Sequence, residues 1–144
     1  MFITTKGRRE FWNFTVTELV TAVRAFNRTH YPRIMPGMLN ALMSNEHVTV
    51  TIEHLEGTPL LPRESIILAL RPAETILTIE TARGGDLSMT LPQYLRSRYD
   101  LDMAHPNAIG VVANNSNGDL YGGEFIMIAC PVEVLPQQIR RALA

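Results

Sequence analysis

Between Thr90 and Asp100 the chain places two phenols and a guanidinium close together: Tyr94, Arg98 and Tyr99. Tyr94 and Arg98 are four residues apart, the spacing that sets two side chains on one face of a helix. A phenol and a guanidinium so placed can stack on a base and pair with a phosphate. Tyr99 follows Tyr94 by five residues, so a continuing helix would turn it away. A helix that stops near Arg98, ahead of Asp100 and Pro106, lets Tyr99 swing back past the last turn. Tyrosines of this kind are also ordinary half-buried packing residues in many proteins. The element that must position them has a full set of start signals. Thr90 can cap the first turn and Gln93 can reach back to it, as in a capping box. Pro92 falls where amides have no helical partner, so it is tolerated. Leu91 and Leu95, four apart, share a face suited to burial.

The stretch Leu-Pro-Gln-Tyr-Leu-Arg-Ser-Arg-Tyr-Asp-Leu-Asp-Met-Ala-His-Pro, from Leu91 to Pro106, resembles the motif of the PAZ domains of Argonaute, Piwi and Dicer proteins. A second stretch, Cys130-Pro131-Val132-Glu133-Val134-Leu135 and then Pro136-Gln137-Gln138, resembles the family's later Pro-x-Glu motif and the Gln that follows it. The two fall in the family's order and at about its spacing, with weaker similarity through residues 47–80. The resemblance covers most of the chain from about Thr17. It implies an α+β, mainly β domain: a small OB-like β-barrel with two N-terminal helices and a β-hairpin/helix insertion. It implies that the cleft between barrel and insertion holds the 3′ end of a single-stranded small guide RNA, without catalysis and without a cofactor. It also implies a partner, the remainder of a larger Argonaute-type chain.

Carried over position by position, Tyr94 and Tyr99 match the family's two phosphate-binding tyrosines, and Arg98 matches the basic residue just before the second. His54 matches a histidine near the end of the first long strand, and Arg63 a basic residue opening the next. Ile76 and Leu77 stand where the family's hairpin offers an aromatic for the terminal base. Ser65 stands where Tyr is frequent, and Ala129 or Cys130 where Tyr or Phe precedes the Pro-x-Glu motif. Each stacked base is worth roughly 1–3 kcal/mol, so aliphatic replacements lower affinity. A second reading therefore stays open: a degenerate PAZ domain that acts as a scaffold or protein-interaction module without binding RNA.

Composition bounds these readings. A chain of 144 residues is a single domain able to bury a core without staples. A net charge of −1 excludes a binder held by long-range charge, so any RNA contact must rest on a local cluster. Among the basic residues only Lys6 is not arginine, and arginine suits planar phosphate and base contacts. The lone Cys130 excludes an internal disulfide and fits a reducing compartment. With no signal peptide and no long apolar run, a cytoplasmic or nuclear protein and no membrane partner are expected. The short length and abrupt ends suggest a domain excised from a longer protein. His30, His47, His54 and His105 match no metal-ligand spacing, and no nucleophile–base pair is supported, so no metal and no enzyme activity are expected. Glu133 beside Pro131 reads as ordering a strand end, and Gly84-Gly85 and Gly122-Gly123 as turns.

Along the chain, residues 1–14 read as a lead-in strand or linker and 15–45 as helical. Residues 46–135 read as the barrel, with the insertion at about 65–99, and 136–144 as a terminal helix. Thr15 to Glu18 is a capping box opening a helix to about Asn27. Pro32 reads as a turn and Pro36 as the start of a second helix with Met38, Leu39, Leu42 and Met43 inward. Val48, Val50 and Ile52 alternate with polar residues, a half-buried strand. Ser65–Leu70 and Thr75–Glu80 read as strands of one hairpin, Arg83-Gly84-Gly85-Asp86 as a turn into the helix, and 109–113 as a strand. Asn114–Asp119 reads as a loop, 124–129 and 132–135 as strands, and 137–143 as a helix.

Because few phosphates can meet Arg63, Arg98 and their neighbours, RNA binding should depend weakly on salt. Each phosphate neutralised on a single strand contributes about −0.7 to the log–log slope. A slope of about −1 to −3 is expected in a salt titration; a much steeper one would mean non-specific attraction to the whole arginine surface.

Overall fold

The computed structural model describes residues Met1–Ala144. It is an α+β domain of open antiparallel sheets and four helices. Strands β1 (Phe2–Lys6), β2 (Arg9–Thr15), β3 (Thr49–Ile52) and β9 (Ile126–Pro131) form one sheet in the order β1-β2-β9-β3. Strands β4 (Ser65–Leu68), β7 (Val111–Asn114) and β8 (Asp119–Gly122) form a second in the order β4-β7-β8. Strands β5 (Ile76–Glu80) and β6 (Asp86–Thr90) form a separate hairpin. Helix α1 (Val16–Phe26) and α2 (Tyr31–Met43) precede β3, α3 (Leu91–Tyr99) follows the hairpin, and α4 (Gln137–Leu143) ends the chain against α1. No helix is long and apolar enough to cross a membrane.

The sheets do not close into the expected barrel. The free edge of β3 meets only the segment Pro59–Leu61, through a single bridge between Thr51 and Leu60. Leu61 donates to the Val50 carbonyl and Ile52 to the Pro59 carbonyl, each at 2.9 Å. Pro59 and Pro62 have no amide to donate, so the ladder stops there and does not run on into β4. The lead-in segment is more than a linker: β1 and β2 are a hairpin turning at Gly7 (φ +65°), and β2 pairs along β9. β1 is the open edge of that sheet.

Capping predicts α1 well. Thr15 accepts from the Glu18 amide at 3.1 Å and the Glu18 carboxylate accepts from the Thr15 amide at 3.1 Å. α2 begins at Tyr31, five residues before the expected start at Pro36. Pro32 lies in the first turn, where its missing amide costs nothing, and Pro36 forfeits only one internal bond. Burial repays this: Met35, Leu39 and Leu42 form one inward stripe that begins ahead of Pro36. The hairpin partners also differ from the expectation. β4 pairs with β7 and β5 with β6, because a 3₁₀ turn at Pro72–Glu74 redirects the chain between β4 and β5. Residues 86–90 are a strand in which Leu87 and Met89 alternate with polar residues, and β8 emerges from the end of the expected loop. Residues 132–134 are a 3₁₀ turn, not a strand, held beside β2 where Glu133 pairs with Arg9 at 3.2 Å.

The main core gathers Phe14, Val16, Leu19, Val23, Leu39, Val50, Ile67, Ile128 and their neighbours between the sheets and α1, α2 and α4. A smaller cluster of Leu91, Leu95 and Val111, flanked by Leu68, Leu77, Met103, Leu120 and Phe125, seats α3 on the three-stranded sheet. Where β8 passes into β9, Gly123 donates its amide to the Gly110 carbonyl at 2.8 Å. A Cβ at Gly123 would lie 2.6 Å from that same oxygen.

Leu95 is fully buried, so Leu95→Ala should cost about 2–5 kcal/mol. A urea unfolding curve measures it; a loss well under 1 kcal/mol would mean that α3 is not seated as described.

Candidate functional site

The turn after β3, strand β5, helix α3 and strand β8 converge on one cleft of about 320 Å³, lined by His54, Leu55, Leu77, Ile79, Tyr94, Tyr99, Gly118, Asp119, Leu120 and Tyr121. His54 sits on the turn after β3. That turn is fixed because the Glu53 amide donates to the Phe125 carbonyl at 2.8 Å and the Thr58 amide to the Leu55 carbonyl at 3.0 Å. Tyr94 lies one turn into α3, whose start is set as expected: the Thr90 amide donates to Gln93 Oε1 at 2.9 Å and the Gln93 amide to Thr90 Oγ1 at 3.4 Å. Tyr99 is the last helical residue rather than lying beyond the helix. Asp100 then takes a left-handed conformation (φ 54°) and closes the turn with its amide on the Arg96 carbonyl at 3.1 Å.

The long side chains close the gap that five residues of helix leave. The Tyr94 and Tyr99 rings meet edge to face, with centroids 6.1 Å apart, and His54 packs edge to face on Tyr99 at 4.9 Å. Tyr121 and Phe125 flank His54 at 6.2 and 5.6 Å. The Arg98 guanidinium lies over the Tyr99 ring, 5.5 Å from its centre. Such aromatic contacts are worth about 0.5–1.5 kcal/mol each beyond burial, so they help to fix the rings relative to one another.

The electrostatics favour neutral hydrogen-bonding groups. Burial, followed by the neighbouring Tyr99, pushes the Tyr94 phenol above its ordinary value, while Arg98 opposes this. Burial and then Asp119 push Tyr121 up. Both therefore keep their protons at neutral pH and remain O–H donors. Burial holds His54 below its ordinary value, so its ring is neutral, with one nitrogen a donor and the other an acceptor. Both nitrogens are buried and neither has a hydrogen-bond partner. Neutral donors in a half-dry pocket suit an acceptor-rich group that brings its own charge.

Of the residues expected at the site, the structure brings together His54, Leu77, Tyr94 and Tyr99 in the cleft, with Arg98 at its rim. It does not bring Ile76 or Arg63 there. Ile76 neighbours Leu77 on β5, so strand alternation sends it to the opposite face, where it lines a groove with Leu68 and Leu70. Arg63 is exposed, ahead of β4 and beside α2. In the orientation that satisfies its amide, Asn40 of α2 donates to the Arg63 carbonyl at 2.6 Å. Sequence reasoning missed Tyr121, Ile79 and Asp119. Alternation along β8 and β5 is the signal that would have found them, once those strands were drawn with the right bounds. The groove that Ile76 lines is larger, at about 720 Å³, and two further roomier grooves lie elsewhere, at about 560 and 570 Å³. In the first, Glu124 already accepts the amides of Ala104 and His105. In the second, Arg9 and His47 are paired with Glu133 and Glu46. No group of three or more His, Cys, Asp or Glu side chains is arranged to hold a metal ion. Cys130 is buried, and its thiol is pushed up to about 11 by burial and then by Glu133.

His54 also links the site to stability. The folded state takes up the imidazole proton at lower pH than the unfolded chain, which titrates near 6.5. Between the two values the unfolded state binds more protons, so stability is greatest above about pH 6.5 and falls as pH drops through the folded value. Acidification from neutral pH through this window should lower the Tm of the wild type more than that of His54→Phe. Equal slopes in paired thermal melts would show that burial of the neutral ring is not what sets His54.

No protein-family model matches the chain, and no curated protein matches it closely.

Proposed function

We propose that this chain is an RNA-binding module that anchors the 3′ end of a small guide RNA within an Argonaute- or Piwi-type protein, in the manner of a PAZ domain. The observation that carries the proposal is the convergence of Tyr94, Tyr99, Tyr121 and His54 on a single cleft between the hairpin–helix unit and the three-stranded sheet. The sequence resemblance contributes the identity of the ligand. In this reading the neutral phenols and the imidazole donate to the oxygens of the last phosphates, and Arg98 supplies the countercharge. Leu77 and Ile79 offer the terminal base an apolar wall in place of an aromatic ring. Such contacts read backbone and sugar rather than base edges, so binding is nearly independent of sequence. The module holds the strand and catalyses nothing, and it works as part of a larger intracellular ribonucleoprotein. One observation favours the scaffold alternative: the overall charge of −1 leaves Arg98 as the one cation stacked at the cleft.

Conservative changes at the tyrosines separate the two. Tyr→Phe removes one hydrogen bond and keeps the ring. A bond to a charged group is worth about 1.5–3 kcal/mol, so Tyr94→Phe and Tyr99→Phe should each weaken binding of a labelled single-stranded RNA by about tenfold to a hundredfold. Their melting temperatures should hardly move. Equal binding by wild type and double variant would overturn the assignment of these residues, and no binding by the wild type would favour the scaffold.

A further inference from the structure

The two edges of the four-stranded sheet differ. β3 is met by Pro59–Leu61, whereas all five residues of β1 are exposed and nothing pairs with its outer side. The turn at Gly7-Arg8 has two residues, which makes the flanking Lys6 and Arg9 a hydrogen-bonded pair. Alternation along the register turns the backbone of Phe2, Thr4 and Lys6 toward β2 and leaves the amides and carbonyls of Ile3 and Thr5 facing outward. Exposed sheet edges are ordinarily blunted by a proline, a bulge or a charge in mid-strand. β1 has none of these: it pairs with β2 without interruption, holds no proline, and carries its single charge, Lys6, at the turn. Phe2 and Ile3 are instead more than half exposed, at 54% and 53%.

The strand Phe-Ile-Thr-Thr-Lys is complementary to itself in one register. When two copies run antiparallel about a two-fold axis at Thr4, Ile3 of each faces Thr5 of the other, and their outward amides and carbonyls meet in hydrogen-bonded pairs. Thr4 then faces Thr4, and Asn13 Nδ2 steadies that position by donating to Thr4 Oγ1 at 3.0 Å. Lys6 falls opposite Phe2, so no like charges meet and the lysine stem lies along an apolar ring. Moving the axis to Ile3 would set Thr5 against Met1, whose ammonium is held by Glu18 at 2.7 Å. Moving it to Thr5 would set Ile3 against Gly7 in the turn. A net charge of −1 leaves little repulsion between copies. We infer that β1 is a self-association edge: two copies of this chain join β1 to β1, so that two four-stranded sheets run on as one. A contact built on five residues a side is small, so the dimer is weak and reversible. No residue of β1 lines the cleft, and the inference does not rest on RNA binding there.

Sedimentation equilibrium tests this over a concentration series from about 1 μM to about 1 mM, the span of weak affinities. The weight-average mass of the wild type should climb from monomer toward dimer. Thr5→Pro removes an outward amide from each copy and no bond to β2, so it should stay monomeric with a nearly unchanged melting temperature. Two cysteine variants under mild oxidation read the register. Across a non-hydrogen-bonded antiparallel pair the Cα atoms lie about 4.5 Å apart, within disulfide reach, so Thr4→Cys should trap a covalent dimer. The two Thr5 positions are offset by about 7 Å along the strands alone, out of reach, so Thr5→Cys should cross-link far more slowly. Cys130 is buried and takes no part. A wild type that is monomeric throughout overturns the inference and leaves this edge to a strand of another protein. A dimer that Thr5→Pro does not weaken lies elsewhere on the molecule and overturns it equally, as do Thr4→Cys and Thr5→Cys that cross-link at the same rate. Should Thr5→Pro fail to fold, the cysteine variants decide alone.

Discussion

Leu91 and Leu95 have no contact with water, and the cleft depends on their seat against Val111. A two-stranded hairpin is marginal on its own, and β5 and β6 pair with no third strand. Helix α3 fastens that hairpin to the rest of the domain through these two leucines. Their face also fixes the rotation of the helix, and therefore where Tyr94 and Tyr99 point. Two backbone bonds tie the unit from the other side: Leu91 donates to the Thr75 carbonyl and Ala73 to the Pro106 carbonyl, each at 2.9 Å. The capping box at Thr90 sets the helix register, so a one-residue slip would lose both the cap and the burial of the leucines.

On this seat the cleft combines groups that are costly to keep together without a ligand. The imidazole of His54 has two buried nitrogens with no partner, and an unsatisfied buried polar atom costs on the order of 1–3 kcal/mol. Tyr94, Tyr99 and Tyr121 crowd the same small volume. Breaches of this kind concentrate at functional sites, where a ligand supplies the missing bonds. The aromatic edge contacts partly offset the cost, and they hold the donors at fixed positions.

Much of this was legible in the sequence where the signals are local. The capping boxes at Thr15 and Thr90 set the starts of α1 and α3, and the period-two pattern at 48–52 placed β3, because each depends on a few adjacent residues. The pairing of strands was not legible. Residues 65–68 and 76–80 are close in sequence and both apolar, yet the 3₁₀ turn at Pro72 separates them and sends each to a different partner. Nor did local pattern show that Pro59 and Pro62 would leave the sheets open. At the site, Tyr94, Tyr99 and His54 came from motif resemblance. Tyr121 and Asp119 were missed because β8 was not read as a strand: Asp119 closed the expected loop and Tyr121 was given no element. Ile76 and Leu77 were both named, and only the pairing of β5 with β6 shows which of the two faces the cleft.

Gly123 sets a different kind of limit. Its backbone needs no left-handed conformation, so residues that tolerate such conformations gain nothing there. The obstacle is space: the first carbon of any side chain would collide with the Gly110 carbonyl. At Gly118 the reverse holds, with φ +71° and open space around the position, so Asn or Asp can stand in at modest strain. Sequence drift is therefore nearly closed at the corner joining the two sheets and open at the loop that borders the cleft. Variation among descendants of this chain should accumulate at the rim of the cleft, while the fold line behind it stays fixed.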